Sequence, residues 1–336
     1  MKGIWRKVWC VFMVCSMVIS LAACGGGSSE TEVKESKSAS SDEGKSLIYI
    51  SRSMSDAFAS WLANTVKSEG EKRGYSVSIL DEEDDAAKAI EMLENARTKN
   101  PDAIILQPTA DFQGLSTIKS IEEDGIPVIV VNVTLSEDPN AVPTVICDDY
   151  MLGYKIAQLA AKNLPENANV VILNGISGFS VSVDRRKGFQ EGLLDARPDV
   201  TLLDEQSADF NKDDAMNVMD DWLQKYDNID GIIAASDGMA IGAIESYKSN
   251  NMDFSNVQFY GIDGLADGCL SVQASELTGT VLQDANLMAN TTLDELDKIL
   301  DGSVTKPEIV SIDAMVIDKS NVDDVIKMHQ ENGLID

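Results

Sequence analysis

Short apolar runs alternate with longer stretches of helical periodicity along most of this 336-residue chain. Between the runs, apolar side chains recur every three or four positions, as in Phe58, Trp61, Leu62 and Val66, which predicts amphipathic helices. The runs themselves have the length of strands rather than helices. Nine of them are predicted as β-strands, at 47–50, 77–80, 103–106, 128–131, 170–173, 200–203, 231–235, 257–262 and 279–282.

The predicted strands are apolar at consecutive positions, which indicates burial on both faces. Strands of this kind form parallel sheets with helices packed on either side. Nine strands could form one wide sheet or two smaller ones. Residues 100–107 (NPDAIILQ) and 228–235 (NIDGIIAA) share a polar turn followed by a buried strand, and this internal echo favours two sheets. The chain is also long enough for two domains. The sequence therefore predicts an α/β fold of two similar lobes.

The first 24 residues have the pattern of an export signal. Lys2, Arg6 and Lys7 precede an apolar stretch over 8–23, which is shorter than the ~20 residues of a membrane-spanning helix. This stretch ends in Leu-Ala-Ala before Cys24, which resembles the lipobox of bacterial lipoproteins, where the cysteine is lipidated. We predict a signal peptide over 1–23 and a lipid anchor on Cys24. An uncleaved anchor and an ordinary signal peptide are the alternatives, and each places the body outside the cytoplasmic membrane.

Residues 24–45 are predicted to be a disordered tether between the anchor and the folded body. Residues 25–45 contain one apolar β-branched residue, Val33, and no aromatic residue. Such a composition does not offset the entropy lost on ordering. Only Cys147 and Cys269 remain in the body, and two buried free thiols are favoured over a single disulfide.

The charge balance excludes several classes of function. The chain has 27 basic and 56 acidic residues, a net charge of −29, and loss of 1–23 makes the net charge −32. This charge repels a phosphate backbone, so nucleic acid is not an expected partner. The single histidine, His329, excludes zinc sites built on histidine pairs. No phosphate-binding loop or dinucleotide fingerprint is present, and neither a metal nor a cofactor is expected. The acidic stretches 82–85 and 148–149 are predicted to be solvated loops.

Polar, mostly uncharged side chains follow the predicted strands. In open parallel sheets, ligands bind at the carboxyl ends of the strands. Amides and carboxylates pair with vicinal hydroxyl groups, and aromatic faces cover the C–H surface of a ring, so this set predicts a ligand rich in hydroxyl groups. The candidates at the strand ends are Ser51, Ser55, Phe58, Gln107, Asn132, Ser236, Asp237, Asp263 and Gln283.

Some of these candidates have structural alternatives. Asp237 is equally well explained as a cap for the helix that begins at Gly238, and Asp263 with Gly264 as a turn. Phe58 lies on an apolar helical stripe, so core packing is as good an explanation as stacking against a sugar.

Two further residues are predicted to face a cleft. Phe210 lies in a polar loop before a helix, where an aromatic side chain either packs on that helix or faces a cleft. Arg185 lies on an apolar helical stripe shortly after the loop 175–178. We favour a cleft contact for Arg185 over a solvated surface charge.

The motifs that carry a family resemblance lie in the second half of the chain: GISG at 175–178, RRKGF at 185–189, ADF at 208–210, SDGMAIGA at 236–243 and YGIDG at 260–264. Together they resemble the type I periplasmic binding proteins, in particular the ribose- and galactose-binding branch that serves ABC sugar importers. The resemblance extends over about 47–318. It implies two Rossmann-like lobes with parallel sheets, joined by a three-stranded hinge that crosses near 147–148, 283–284 and 309–313. The lobes would be 46–147 plus 284–311, and 148–283 plus 312–336.

The resemblance also implies ligand contacts, and the match to them is uneven. The implied positions are Ser51, Ser55, Phe58, Gln107, Asn132, Val133, Arg185, Phe210, Ser236, Asp263 and Gln283. Phe58, Arg185, Phe210, Asp263 and Gln283 keep the residue types of the ribose-binding branch. That branch has an Asp-Arg pair at 132–133, Asn at 107 and 236, and an Asn-Pro-Phe-Phe run at 55–58.

These departures remove one stacking ring and charge-assisted hydrogen bonds worth about 1.5–3 kcal/mol each. We therefore expect a polyhydroxylated ligand of a different outline, such as a modified sugar, a cyclitol or a sugar-like signal.

The resemblance predicts a solute-binding lipoprotein and not an enzyme. It would capture its ligand between the lobes and deliver it to an ABC import permease at the extracytoplasmic face of the membrane, acting as a monomer. Two alternatives stay open at this point. One is a sensory binding protein that presents its closed form to a membrane receptor, and the other is a glycoside hydrolase that uses carboxylates such as Asp263.

Overall fold

The computed structural model describes residues 44–303 and 307–335, so the predicted signal peptide, Cys24 and nearly all of the predicted tether lie outside the described residues. Within these ranges the chain alternates strands and helices. The strands are β1 (Ser46–Ser51), β2 (Ser76–Asp81), β3 (Ala103–Leu106), β4 (Val128–Asn132), β5 (Thr144–Cys147), β6 (Asn169–Asn174), β7 (Thr201–Ser207), β8 (Gly231–Ala234), β9 (Gln258–Tyr260), β10 (Thr280–Leu282), β11 (Ile309–Ile312) and β12 (Met315–Ile317).

The helices lie between the strands, as the periodicity predicts. They are α1 (Ala57–Lys72), α2 (Ala86–Thr98), α3 (Leu115–Glu123), α4 (Asp149–Asn163), α5 (Ser180–Phe189), α6 (Lys212–Lys225), α7 (Asp237–Ser249), α8 (Ala266–Gln273), α9 (Ala285–Leu300) and α10 (Val322–Glu331). A π-helical turn over Gln190–Leu194 continues α5. No helix in the described ranges is long and apolar enough to cross a membrane.

The first lobe is built on a six-stranded sheet in the order β11-β5-β4-β3-β1-β2, with all neighbouring strands parallel. Its strands carry apolar side chains on both faces. Leu47 and Tyr49 face one apolar cluster, and Ile48 and Ile50 face another that includes side chains of α2 and α3. This confirms the inference of parallel, doubly covered strands.

The second lobe contains a parallel four-stranded sheet in the order β7-β6-β8-β9. Strand β10 extends it through single bridges, Tyr260 to Gly279 and Asp263 to Leu282, and pairs with β12 in antiparallel orientation. Two sheets, rather than one wide sheet, are therefore present. The antiparallel β10–β12 pair is a feature that the sequence did not predict.

The chain passes between the two sheets three times: from β5 to α4, from β10 to α9, and from β11 to β12. The fold is thus α/β, with two parallel-sheet lobes joined by three crossings. All nine predicted strands are present, although β9 is only three residues long and β7 continues to Ser207.

Three strands escaped prediction, namely β5, β11 and β12. They are only three or four residues long, and β11 lies at the edge of its sheet with a half-exposed pattern. Runs this short give little apolar signal, and in β11 the exposed positions interrupt it further.

Candidate functional site

Side chains from both lobes meet around one interior cavity. Six of the residues predicted as ligand contacts line it: Phe58, Asn132, Arg185, Phe210, Asp263 and Gln283. Four residues that were not predicted complete the lining, namely Arg52, Asp56, Phe179 and Val181. The cavity has a volume of about 20 Å³, room for about one water molecule. A sugar ring does not fit in this arrangement, so a ligand of that size requires the lobes to part.

Arg185 is the centre of a hydrogen-bond network at the cavity. Its Nε donates to Asp149 Oδ1 at 2.8 Å, and its Nη2 donates to Gln283 Oε1 at 2.8 Å. Its Nη1 donates to the Ala235 carbonyl at 2.6 Å and to Asp263 Oδ1 at 3.3 Å. The buried guanidinium therefore has carboxylate and carbonyl partners on several sides. These hydrogen bonds fix the orientation of the guanidinium plane beside the cavity.

Gln283 extends this network to the first lobe. Its Nε2 donates to Asn132 Oδ1 at 2.6 Å, and Asn132 ends strand β4 of the six-stranded sheet. Gln283 itself follows β10, at one of the three chain crossings. A buried chain of hydrogen bonds thus connects the first lobe, a crossing segment and Arg185 of the second lobe.

Three of the residues that line the cavity have positive backbone φ angles. Asn132, Phe210 and Asp263 have φ of 78°, 59° and 118°. Phenylalanine rarely adopts positive φ, and the φ of Asp263 lies outside the left-handed region in which aspartate is common. Such strain concentrates at functional sites. Gly175 leaves room for the Phe210 ring, because a Cβ at this glycine would overlap it.

The acidic groups of the network are strongly affected by burial. Burial raises the pKa of Asp263 well above its ordinary range, and the neighbouring Arg185 guanidinium opposes this effect. Burial also raises the pKa of Asp149, again opposed by Arg185. Asp263 accepts from Arg185 in the ion pair, so its carboxylate oxygens are suited to accept hydrogen bonds from hydroxyl groups.

The remaining predicted contacts do not line the cavity. Ser55 lines an outer groove of about 420 Å³ and shares a hydrogen bond with Ser53. Ser51 and Gln107 are buried at the ends of β1 and β3, and the Ser51 Oγ and Gln107 Nε2 atoms have no hydrogen-bond partner among the described residues. Ser236 caps α7, with its Oγ accepting from the Met239 N–H at 3.3 Å.

Asp237 has a different place from the one predicted. It is the first residue of α7 and fully buried, and its Oδ2 accepts from the Leu265 N–H at 2.8 Å. Gly261 and Gly268 pack against its carboxyl group so closely that a Cβ at either position would overlap it. Asp237 therefore supports the loop that carries Asp263, and Ser236, not Asp237, is the cap.

The sequence also misplaced two acidic residues. Glu82, predicted to be solvated, is fully buried, and burial raises its pKa to about 9. Asp149, predicted to be part of a solvated loop, is the ion-pair partner of Arg185 with a side chain only 10% exposed. In both cases the acidic neighbours in sequence suggested solvent, but the side chain turns into the protein at the start of a loop or helix.

An apolar cluster joins the lobes beside the cavity. Val133 follows β4 of the first lobe and packs with Phe179 and Val181 of the second lobe. Position 133 is where the ribose-binding pattern implied an arginine. The chain thus has an apolar interlobe contact at the place where that pattern has a charged one.

Two of the four unpredicted lining residues could have been predicted from their place in the sequence. Arg52 and Asp56 are spaced four residues apart in the loop after β1, between the predicted contacts Ser51 and Phe58. Phe179 and Val181 belong to an ordinary helix start, and nothing in their local pattern distinguishes them from core residues.

The described residues contain no cluster of His, Cys, Asp or Glu side chains able to hold a metal ion. Cys147 and Cys269 are buried free thiols, and burial raises the pKa of both. This confirms the expectation of two free thiols over a disulfide.

Two lobes, three crossings and a polar cavity between the lobes define a solute-binding protein of the two-lobed type. A model of the family described as periplasmic binding protein domain matches residues 47–303, most of the chain. The chain belongs to this family, whose members are solute-binding proteins and not enzymes.

Known proteins similar to this chain bind sugars or polyols according to their names. The xylitol-binding protein of Mycolicibacterium smegmatis is 33% identical over 228 residues, which cover 67% of this chain and 64% of that protein. The ribose import binding protein of Bacillus subtilis is 30% identical over 250 residues, 74% of this chain and 79% of that protein. Among solved structures, the Caulobacter myo-inositol binding protein bound to myo-inositol superimposes with a TM-score of 0.77 at 26% identity, covering 87% of this chain and 98% of that one.

Proposed function

We propose that this protein captures an uncharged, polyhydroxylated ligand in the cavity between its lobes and delivers it unchanged to an ABC import permease. The convergence of Phe58, Arg185, Phe210 and Asp263 on one cavity is the observation that carries this proposal. Three aromatic rings, two amides and charged hydrogen-bonding groups match the faces and hydroxyl groups of a sugar or polyol.

Capture proceeds by movement of the lobes about the three crossings. An open form admits the ligand, the ligand contacts both lobes, and closure excludes water. The Asn132–Gln283–Arg185 hydrogen bonds and the Val133–Phe179 contact, which stabilise the arrangement seen here, belong to the closed form. In this proposal the first lobe comprises 46–147 plus 284–311 and the second comprises 148–283 plus 312–336, and the three crossings between β-strands support these boundaries.

The ligand belongs to the sugars, polyols or cyclitols. The named ligands of similar proteins, xylitol, ribose and myo-inositol, support this range. The protein would act as a monomer at the extracytoplasmic face of the cell membrane, anchored through a lipid on Cys24 after removal of residues 1–23. The lipobox-like sequence before Cys24 supports the anchor.

A ligand screen tests the function directly. We expect at least one pentose, hexose, polyol or inositol at millimolar concentration to raise the melting temperature of the purified protein, and calorimetry to give a dissociation constant for it. Ligand recovered from the complex should be chemically unchanged, as judged by NMR. Turnover of a glycoside by pure protein would favour the hydrolase alternative instead.

Matched variants connect binding to the site. Arg185→Lys breaks the network around the cavity, and Asp263→Asn removes its charge, so both should weaken binding by roughly tenfold or more, about 1.4 kcal/mol. The control is Arg186→Lys, because Arg186 is on the same helix but pairs with Glu205 away from the cavity. No binding of any ligand in the panel, or equal binding by the Arg185 and Arg186 variants, would contradict the proposal.

A further inference from the structure

The interior cavity and the outer groove are separated by a narrow partition. Only Arg52, Asp56 and Phe210 line both spaces. Arg52 and Asp56 come from the loop and helix start after β1 in the first lobe, and Phe210 comes from the loop after β7 in the second. These three residues therefore form the boundary between the cavity and the outer groove.

Arg52 is held firmly in this partition by its own lobe. Its Nη1 donates to Asp84 Oδ1 at 2.5 Å, and its Nη2 lies 2.8 Å from Asp56 Oδ2. The Asp84 N–H also donates to the Arg52 carbonyl at 2.8 Å. The Arg52 side chain is only 6% exposed. Its orientation is thus determined by contacts within the first lobe.

From this position the Arg52 guanidinium reaches the second lobe. Its Cζ lies 6.0 Å from the centre of the Phe210 ring, and the Cζ of Arg185 lies 5.7 Å from the same ring. Phe210 is therefore in contact range of two guanidinium groups, one from each lobe. Such contacts are favourable, more so when they are removed from water.

The hydrogen bonds of Arg52 leave donors available. A guanidinium has five N–H groups. In Arg52, one N–H of Nη2 pairs with Asp56 and one N–H of Nη1 pairs with Asp84. Hydroxyl oxygens of a ligand in the cavity are suitable acceptors for the remaining N–H groups.

The charges of the site favour a neutral ligand. Each of the two guanidiniums at the cavity is already paired with two carboxylates, Arg52 with Asp56 and Asp84, and Arg185 with Asp149 and Asp263. Neither is left to neutralise an anionic ligand, and the surrounding carboxylates repel one.

We propose that Arg52 is a ligand-contacting, specificity-determining residue of this cleft, which donates hydrogen bonds to the hydroxyl groups of a neutral polyol held beside Phe210 and closes the cavity over it. This inference rests on the proposed function and names a contact that the sequence did not reveal. The ribose-binding pattern has a charged donor at position 133, where this chain has Val133. In this proposal Arg52, in the loop after β1, supplies a charged donor instead.

The test compares Arg52 variants with the unaltered protein over a panel of ligands. Calorimetry would measure the dissociation constants of the best neutral polyol, its stereoisomers, and the carboxylate derivative of the same polyol. We expect Arg52→Gln to weaken binding of the best ligand at least tenfold and to change the order of preference among stereoisomers. We expect the carboxylate derivative to bind the unaltered protein at least tenfold more weakly than the neutral polyol.

Arg97→Gln is the matched control. Arg97 is in the first lobe and pairs with Asp124, but lies at the end of α2, outside both spaces. It should leave every dissociation constant within twofold. If Arg52→Gln does not fold, Arg52→Lys serves instead, because lysine keeps the charge while losing the guanidinium fork.

The outcomes separate this inference from the proposed function. Binding by Arg52→Gln or Arg52→Lys that equals the unaltered protein for all ligands would overturn the role of Arg52 and leave the proposed function standing. A uniform loss of affinity with unchanged preference, accompanied by a lower melting temperature of the free protein, would show a purely structural role and overturn it too. Failure of the unaltered protein to bind any polyol would overturn the proposed function and this inference together.

Discussion

The carboxyl group of Glu82 is buried where β2 ends, and neither of its oxygens has a hydrogen-bond partner among the described residues. Isolated burial of a charged carboxylate is unfavourable, so the group holds its proton instead. The next residue, Glu83, is exposed and paired with Lys88. Two adjacent glutamates thus have opposite environments, which composition alone cannot distinguish.

Glu82→Gln should change the pH dependence of stability. Burial raises the pKa of Glu82 to about 9. Between the ordinary glutamate pKa and this value, the folded protein keeps a proton that the unfolded chain has lost, so the free energy of unfolding falls as pH rises, by up to about 1.4 kcal/mol per pH unit. Relative to the unaltered protein, Glu82→Gln should gain stability from about pH 5 to about pH 8.5, measured by urea unfolding. Glu83→Gln is the control, and equal pH profiles for the two variants would refute the assignment.

His329 should show the opposite linkage. Its Nε2 lies 2.8 Å from the carbonyl of Gly264, beside Asp263, and its ring packs against Trp61 with centroids 5.2 Å apart. Burial lowers the pKa of His329, and the Gly264 carbonyl opposes this effect. The unfolded chain takes up a proton below about pH 6.5 that the folded histidine resists, so stability is lost as pH falls through that value.

The chain has a single histidine, so its titration can be followed directly. One imidazole C2–H resonance in the NMR spectrum should titrate with a midpoint below about 6.5 in the folded protein, and at the ordinary value in urea. A midpoint above the ordinary value would contradict the buried neutral ring. His329→Gln, which keeps an N–H donor for Gly264, should remove the loss of stability at acid pH.

Close helix packing determines where Arg185 lies. Helices α4 and α5 approach through small residues: Gly153 lies against the Arg185 backbone, and Gly188 lies against the backbone of α4. A Cβ at Gly153 would overlap the Arg185 carbonyl, so neither helix could keep its present position. Sequence periodicity predicted both helices, but not the distance between them, because that distance depends on which faces meet.

Gly153→Ala should therefore weaken both stability and binding. We expect a loss of about 1–3 kcal/mol in the free energy of unfolding, since the added methyl forces α4 and α5 apart. Displacement of Arg185 should also lower the affinity for the ligand several-fold, measured by calorimetry. Gln158→Ala, an exposed position on the same helix, should change neither quantity. Unchanged stability of the Gly153→Ala protein would show that α4 and α5 accommodate the added methyl group without moving apart.

One small apolar cluster connects the lobes beside the cavity. The cluster of Val133, Phe179 and Val181 is separate from the two larger apolar clusters, one of which extends through both lobes. Its contacts with Val133 bury apolar surface only when the lobes meet, so they favour closure.

Phe179→Ala should shift the protein towards its open form. The loss of the buried phenyl group removes apolar contact worth up to about 1.5–3 kcal/mol, and the share of it made with Val133 is lost from the closed form alone. Small-angle X-ray scattering of the free protein should give a larger radius of gyration, while the melting temperature changes little. The control is Val183→Ala, an exposed position on the same helix. Equal radii for the two variants would show that Phe179 does not stabilise closure.

The α/β architecture, its division into two lobes and the placing of candidate site residues at strand ends could all be predicted from the amino-acid sequence. These features follow from local pattern: continuous apolar runs require parallel strands covered on both faces, and polar residues after such strands must lie at one edge. The candidates Phe58, Asn132, Arg185, Phe210, Asp263 and Gln283 came from this reasoning and from the motifs around them.

Which of these residues meet, and what surrounds them, depends on the folded arrangement of distant segments. Gln283 contacts Asn132 and Arg185 across separations of 151 and 98 residues, and no local pattern encodes such pairs. The inward turn of Glu82, the supporting role of Asp237 and the contact of Arg52 with Phe210 likewise depend on neighbours from distant segments. Burial and pairing with distant segments, within a lobe or between the lobes, determine which polar side chains line the cavity and which support the fold.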